Sequence, residues 1–96
     1  MATYKLSNEA KNDIIRIHQY GVAQFGEKQA DIYFNTFFEH FRIIARQPYA
    51  FEEVNFIKPG YRRCVCGRDS IFYKVHNNVV EIMAIIGKQD IQDLLK

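Results

Sequence analysis

The sequence predicts an α+β domain in the order β-α-α-β-β-β, a helical hairpin packed on one face of an antiparallel sheet. Three observations carry this. Two apolar stripes of helical period occupy residues 8–46 and are separated by Gly26. Turn signals at Gly67-Arg68-Asp69 and His76-Asn77-Asn78 divide the stretch after Gly60 into three strand-like runs. Between the halves lies a connector bounded by Pro48 and Pro59.

Thr3 to Leu6 reads as a short first strand. Ser7 stands where a helix N-cap belongs, its hydroxyl able to accept from an unpaired first-turn amide. From Asn8 to Phe25, the residues Ala10, Ile14, Ile17, Gly21 and Phe25 form one stripe. Gly26 can take the left-handed conformation that closes such a helix. The second helix runs from near Glu27 to about Arg46. Its Ala30, Tyr33, Phe34, Phe37, Phe38, Phe41, Ile44 and Ala45 span an arc of about 140° at 100° per residue, wide enough to meet both the first helix and a sheet. Pro48 ends it, having no amide and restricting the residue before it. Residues 47–60 hold Tyr49, Phe51, Val54, Phe56 and Ile57, too apolar for a free linker, so the connector is expected to lie over the core. The strand meander follows, with Asn77-Asn78 suited to positive φ. The pattern leaves open where the first strand inserts.

Ninety-six residues make one domain, residues 1–96, that buries roughly 60–65% of its unfolded surface without needing a disulfide or a metal. The net charge of +2 is too small for a dedicated reader of nucleic-acid backbone, so direct sequence-specific nucleic-acid binding is not expected. No apolar run approaches the ~20 residues of a membrane span and Met1-Ala2-Thr3-Tyr4-Lys5 has no signal-peptide core, which makes a cytoplasmic location the expectation. Cys64 and Cys66 are two apart on one strand, badly placed to bridge and too few for a four-ligand zinc set. They read as buried apolar fillers. His18, His40 and His76 do not converge, and no cofactor is expected.

Arg62 and Arg63 open the second strand, with Arg62 on the face of Cys64 and Cys66 and Arg63 on that of Tyr61 and Val65. Two readings stay open. In one, an arginine stem lies over apolar surface while the other pairs with a carboxylate. In the other they build a cationic patch on the sheet face away from the helices. Glu52 and Glu53 are expected to be solvated. On the helices, Ile32 and Ile43 project nearly opposite the aromatic arc, and Ile15 and Val22 form a shoulder one heptad apart. Such aligned pairs are candidate stripes for a partner helix, against the alternative of scattered surface apolars.

Several fragments together resemble the ParE-type toxins of the RelE/ParE superfamily, over nearly the whole chain. Tyr4-Lys5-Leu6-Ser7-Asn8-Glu9-Ala10 looks like the family's opening strand and helix start. Tyr20-Gly21-Val22-Ala23-Gln24-Phe25-Gly26 with Gln29-Ala30 resembles its helix junction, and Gln47-Pro48 its helix exit. Pro59-Gly60-Tyr61-Arg62-Arg63 and Gly87-Lys88-Gln89-Asp90 resemble the entry to the meander and its ending. The resemblance implies the toxin of a type II toxin–antitoxin module, linked to plasmid stabilisation, that inhibits DNA gyrase and so replication by binding rather than catalysis. It implies a ParD-like antitoxin whose flexible C-terminal part folds over the toxin, suiting the Ile15/Val22 and Ile32/Ile43 stripes. Arg62, Arg63, Gly87, Lys88, Gln89 and Asp90 are the expected target-binding residues.

The alternative within the superfamily is a RelE-like, ribosome-dependent messenger endoribonuclease, and a further one is a non-toxic partner-binding member. A nuclease needs a base, an acid and a cation at the scissile phosphate, for which Tyr73 or His76 with Arg62, Arg63 and Lys74 are the candidates. Against it stand Ile86, where many members of the superfamily place a histidine, and the lack of a dense lysine set in the helical half. Lys88 also replaces a frequent arginine. Residues 91–96 are expected to form one helical turn against the sheet.

Overall fold

The computed structural model describes residues 3–87. Its elements follow the expected order with one addition: β1 (Thr3–Leu6), α1 (Asn8–Phe25), α2 (Glu27–Arg46), β2 (Glu52–Glu53), β3 (Arg62–Cys66), β4 (Asp69–His76) and β5 (Val79–Gly87). The added element is β2, in the connector. The strands make one five-stranded sheet in the order β1-β5-β4-β3-β2. The meander is antiparallel, while β1 inserts parallel to β5, pairing Thr3 with Val79 and Leu6 with Ile82. The sheet is therefore mixed at one edge.

Ser7 caps α1 as expected, its hydroxyl accepting from the Ala10 amide at 3.0 Å. The same hydroxyl donates to the Met83 carbonyl at 2.8 Å, and the Ser7 amide donates to Ile82 O at 2.9 Å. Gly26 does take positive φ, but at φ 90° and ψ 161° it is extended rather than left-handed helical. Few residues other than glycine tolerate that geometry. Near the hinge the helices approach closely, since a Cβ on Gly21 would lie 3.2 Å from that of Ala30.

Between the hairpin and the sheet lies the main core, built from Ala10, Ile14, Phe37, Phe41, Ile44, Cys64, Cys66, Ile71, Tyr73, Val80, Ile82 and Ile85. Every residue of the predicted aromatic arc is buried or half-buried. Phe25 is the exception on α1. It is 64% exposed because it ends the helix at the hairpin tip, where α2 has only just begun. On the opposite face of the sheet Val54 and Phe72 form a second cluster with Ile57, Tyr61 and Ile86 packed against it. Val54 and Ile57 of the connector cover part of that face, its Phe51 packs against the main core, and its Tyr49 and Phe56 stay exposed.

Both turns have the backbone that their residues favour. Asn77 and Asn78 have φ of 51° and 63°, the paired positive values of a tight hairpin, and Gly67 has φ 59°. Asp69 pairs with Cys66, so the first turn comprises Gly67 and Arg68 alone. In β5 the register slips by one: Phe72 faces Ala84 and Tyr73 faces Ile82, leaving Met83 as a bulge.

Past Leu6, β1 no longer covers β5, and side chains of the first helix take its place. Ser7 meets the Met83 carbonyl, and Asp13 Oδ2 accepts from the Ile85 amide at 3.0 Å. Arg16 lies 3.3 Å from the other Asp13 oxygen. Asp13→Ala should cost about 1–3 kcal/mol by stranding the Ile85 amide, with Asp13→Asn losing less because it keeps an acceptor. Equal losses in urea unfolding of the two variants would trace the effect to charge and not to the ladder.

Candidate functional site

The two arginines of β3 do not make a joint cationic patch. Alternation sends Arg62 to the helix side, where its guanidinium donates to Phe51 O at 2.7 Å and to Glu53 at 2.9 Å and lies 5.1 Å from the centre of the Tyr49 ring. Arg63 faces the other side and pairs with Glu52. The physical reason is β2: the register Glu52↔Arg63 and Glu53↔Arg62 sets a carboxylate against each guanidinium. Both glutamates are exposed but paired, and neither arginine merely covers apolar surface. Arg62 ties the connector to the sheet.

Nor does the sheet bring Arg62 and Arg63 to the C-terminal element. Arg62 pairs with Tyr73, whereas Gly87 pairs with Asp69. Those positions are four steps apart along β4, about 13 Å at ~3.3 Å per residue. Lys88, Gln89 and Asp90, like the helical turn expected over residues 91–96, lie outside the described residues.

What stands beside Gly87 is the β3–β4 turn, which the sequence marks as a turn but not as part of a site. The Tyr33 hydroxyl of α2 lies 2.8 Å from Asp69 Oδ2 and 2.9 Å from Cys66 O, so its one proton is shared between them, and it accepts from the Arg68 amide at 3.3 Å. Burial, then the Asp69 contact, holds the phenol well above its ordinary range and therefore neutral. A Cβ on Gly67 would meet the Tyr33 ring at 2.8 Å. One clue was available: a tyrosine in an arc of phenylalanines needs a partner for its hydroxyl.

On the hairpin, Ile15, Val22, Ile32 and Ile43 are all exposed. At 100° per residue Ile15 and Val22 sit on the flank of α1 that turns toward α2, because His18, about 40–60° from either, reaches Asp31 at 2.7 Å and stacks edge-on against Phe34. Ile32 and Ile43 lie about 120–140° round α2 from the buried Phe37. The two pairs thus form separate stripes.

The candidate acid–base groups do not converge. Tyr73 is fully buried and donates to Pro48 O at 2.7 Å, burial pushing it up to about 12 despite the opposing pull of Arg62. His76 lies at the exposed hairpin end and contacts Asn77, while Lys74 pairs loosely with Glu81 at 3.8 Å. His40 bonds the Thr36 carbonyl. Among the described residues no group of His, Cys, Asp and Glu could hold a metal ion, and no helix is long and apolar enough to cross a membrane. Cys64 and Cys66 are free and buried, and burial pushes both thiols up to about 11.

Two helices on one face of this mostly antiparallel sheet define the α+β fold of the ParE-like toxins. A solved structure of the chromosomal ParDE TA system from P. aeruginosa superposes with a TM-score of 0.81 at 18% identity, covering 91% of this chain and 96% of the other. Toxin ParE1 of Caulobacter vibrioides (strain ATCC 19089 / CIP 103742 / CB 15) is 33% identical over 86 residues, 90% of this chain and 88% of that protein. Residues 4–91 match the family described as ParE toxin of type II toxin-antitoxin system, parDE. The chain belongs to the ParE toxin family.

Burial of the neutral thiols and of Tyr73 predicts a pH dependence. The unfolded chain releases these protons first, near 9 for the thiols and 10 for the phenol, so stability is full below about pH 9 and falls as pH rises to about 11–12. Urea midpoints measured from about pH 8 to about pH 10.5 should decline, and less steeply in a Cys64→Ala/Cys66→Ala double variant. A midpoint that rises over this span would contradict the assignment.

Proposed function

We propose that the protein is the toxin of a type II module that inhibits DNA gyrase, and hence replication, by direct binding in the cytoplasm, and that a ParD-like antitoxin neutralises it. The family match over residues 4–91 carries this reading. Geometry supports binding over bond cleavage: a nuclease needs acid, base and cation within reach of one phosphate, whereas Tyr73 is sealed in the core and Arg62 and Arg63 are each committed to a carboxylate on opposite faces. In this reading Gly87, Lys88, Gln89 and Asp90 meet gyrase. Arg63, on the face away from the helices, extends the contact, and Arg62 supports it by fixing the connector. Ile15 with Val22 and Ile32 with Ile43 receive the antitoxin. Separate stripes suit a segment that folds as it binds and wraps the hairpin, because a single straight helix would cover only one of them.

Purified toxin should inhibit gyrase supercoiling, and its expression should raise DNA-damage signalling without cutting messenger RNA. Prompt ribosome-dependent cleavage with supercoiling intact would transfer the assignment to the nuclease branch. Ile15→Asp and Ile32→Asp should each weaken antitoxin binding by about tenfold or more, as loss of a desolvated apolar anchor does, while the free toxin keeps its unfolding midpoint. Unchanged affinity in both variants would remove the antitoxin assignment of the stripes.

A further inference from the structure

We infer that Arg68, at the tip of the β3–β4 turn, is a target-contacting residue that grips a carboxylate on gyrase, and that Tyr33 is the positioning residue that presents it. The inference rests on the gyrase reading above and deepens it.

The turn is held as a preorganised element. Three of its groups, the Cys66 carbonyl, the Arg68 amide and the Asp69 carboxylate, converge on the one Tyr33 hydroxyl. The two-residue loop between them has little freedom left, and Gly67 leaves no room for a side chain on the Tyr33 side. The backbone of such a turn loses little entropy on binding, which leaves only the Arg68 side chain to be ordered. Asp69 would otherwise compete for the neighbouring guanidinium. Its engagement with Tyr33 draws it toward the hairpin.

The surroundings select the kind of partner. Asp69 pairs with Gly87, so the turn stands beside the start of the proposed contact element. Just inside the turn, the register places Val65, Ser70 and Ile86 in one row on the sheet face away from the helices. Val65 is 59% exposed and Ile86 half-buried, while Ser70 is buried between them. One arginine beside apolar side chains is the composition of a protein–protein contact centre. A DNA-backbone site would require a track of cations, and the nearest arginine along β3, Arg63, is paired with Glu52.

The test is a dose–response for inhibition of gyrase supercoiling by the purified full chain and by Arg68→Glu, Arg68→Lys and Tyr33→Phe. Arg68→Glu should raise the half-inhibitory dose by about tenfold or more, with Arg68→Lys recovering part of it. The parent should lose potency as salt rises, and Arg68→Glu should be less salt-sensitive. Tyr33→Phe should lose severalfold in inhibition with antitoxin affinity unchanged, an asymmetry that general destabilisation would not give. Should Arg68→Glu fail to fold, Arg68→Ala reads the same dose ratio. Equal potency of the parent and the Arg68 variants would overturn this inference and leave the gyrase reading standing. A parent inactive at saturating dose would overturn both. Loss confined to toxin binding to free DNA would assign Arg68 to phosphate and overturn the carboxylate contact.

Discussion

The strand β5 must be partnered on both sides, yet β1 covers only its first half. Everything else in the fold follows from how the remaining edge is closed. Unpaired amides and carbonyls beneath a helix cost about as much as a lost hydrogen bond each. Ser7 and Asp13 supply the missing partners from the start of α1, meeting the Met83 carbonyl and the Ile85 amide. The helix is thereby registered to the sheet by hydrogen bonds at its first two turns, and apolar packing of Ala10 and Ile14 completes the seat. The Met83 bulge belongs to the same arrangement. By adding one residue it returns Ile85 to the core face while Ala84 and Ile86 point away.

With α1 fixed, α2 has little choice of position. The close approach at Gly21 and Ala30 sets the spacing at the hinge. The aromatic arc of α2 then spans from α1 to the far end of β3: Phe34 meets His18, Phe41 meets Tyr4, and Tyr33 reaches the β3–β4 turn. A stripe limited to one contact would have left that turn unsupported. The width of the arc thus links helix packing to the geometry of a surface turn more than one strand away from the hinge.

Much of the fold was legible because it depends on local signals that act alone. Ser7 as a cap, Gly26 as a hinge, Pro48 as a stop and Asn77-Asn78 as a tight turn each act through a single residue's conformational range, and period alone separates helix from strand. What could not be read depends on pairing between distant segments. Glu52 and Glu53 look like solvated charges until β2 is seen beside β3, and only that register commits both arginines. The parallel insertion of β1 has no local signature, since Thr3 to Leu6 would read the same beside any strand. Phe25 kept helical period but ran past the end of the partner surface, which periodicity does not report. Of the candidate site, the exposure of Ile15, Val22, Ile32 and Ile43 was legible from angular position. The separation of Arg62 and Arg63 from Gly87 was not, because it depends on how far along β4 each pairs.

These pairings also support the proposal that the scaffold serves recognition and not chemistry. Catalysis at a phosphate requires charged and titratable groups held close together and uncommitted. Here β2 neutralises the arginines of β3 in place, and the tyrosine of β4 that could carry a proton is closed beneath the connector with its hydroxyl on Pro48. The groups so used rigidify the sheet and its covering loop. What the described surface leaves free is of another kind: isoleucines on two flanks of a helical pair, and a pinned turn flanked by Val65 and Ile86. Rigid apolar and single-charge features of that sort contribute to affinity because little freedom is lost when they are covered. A frame that commits its reactive groups to its own cohesion leaves two separate sets of exposed features, and in the proposed reading one partner covers the hairpin while the sheet end remains a distinct surface.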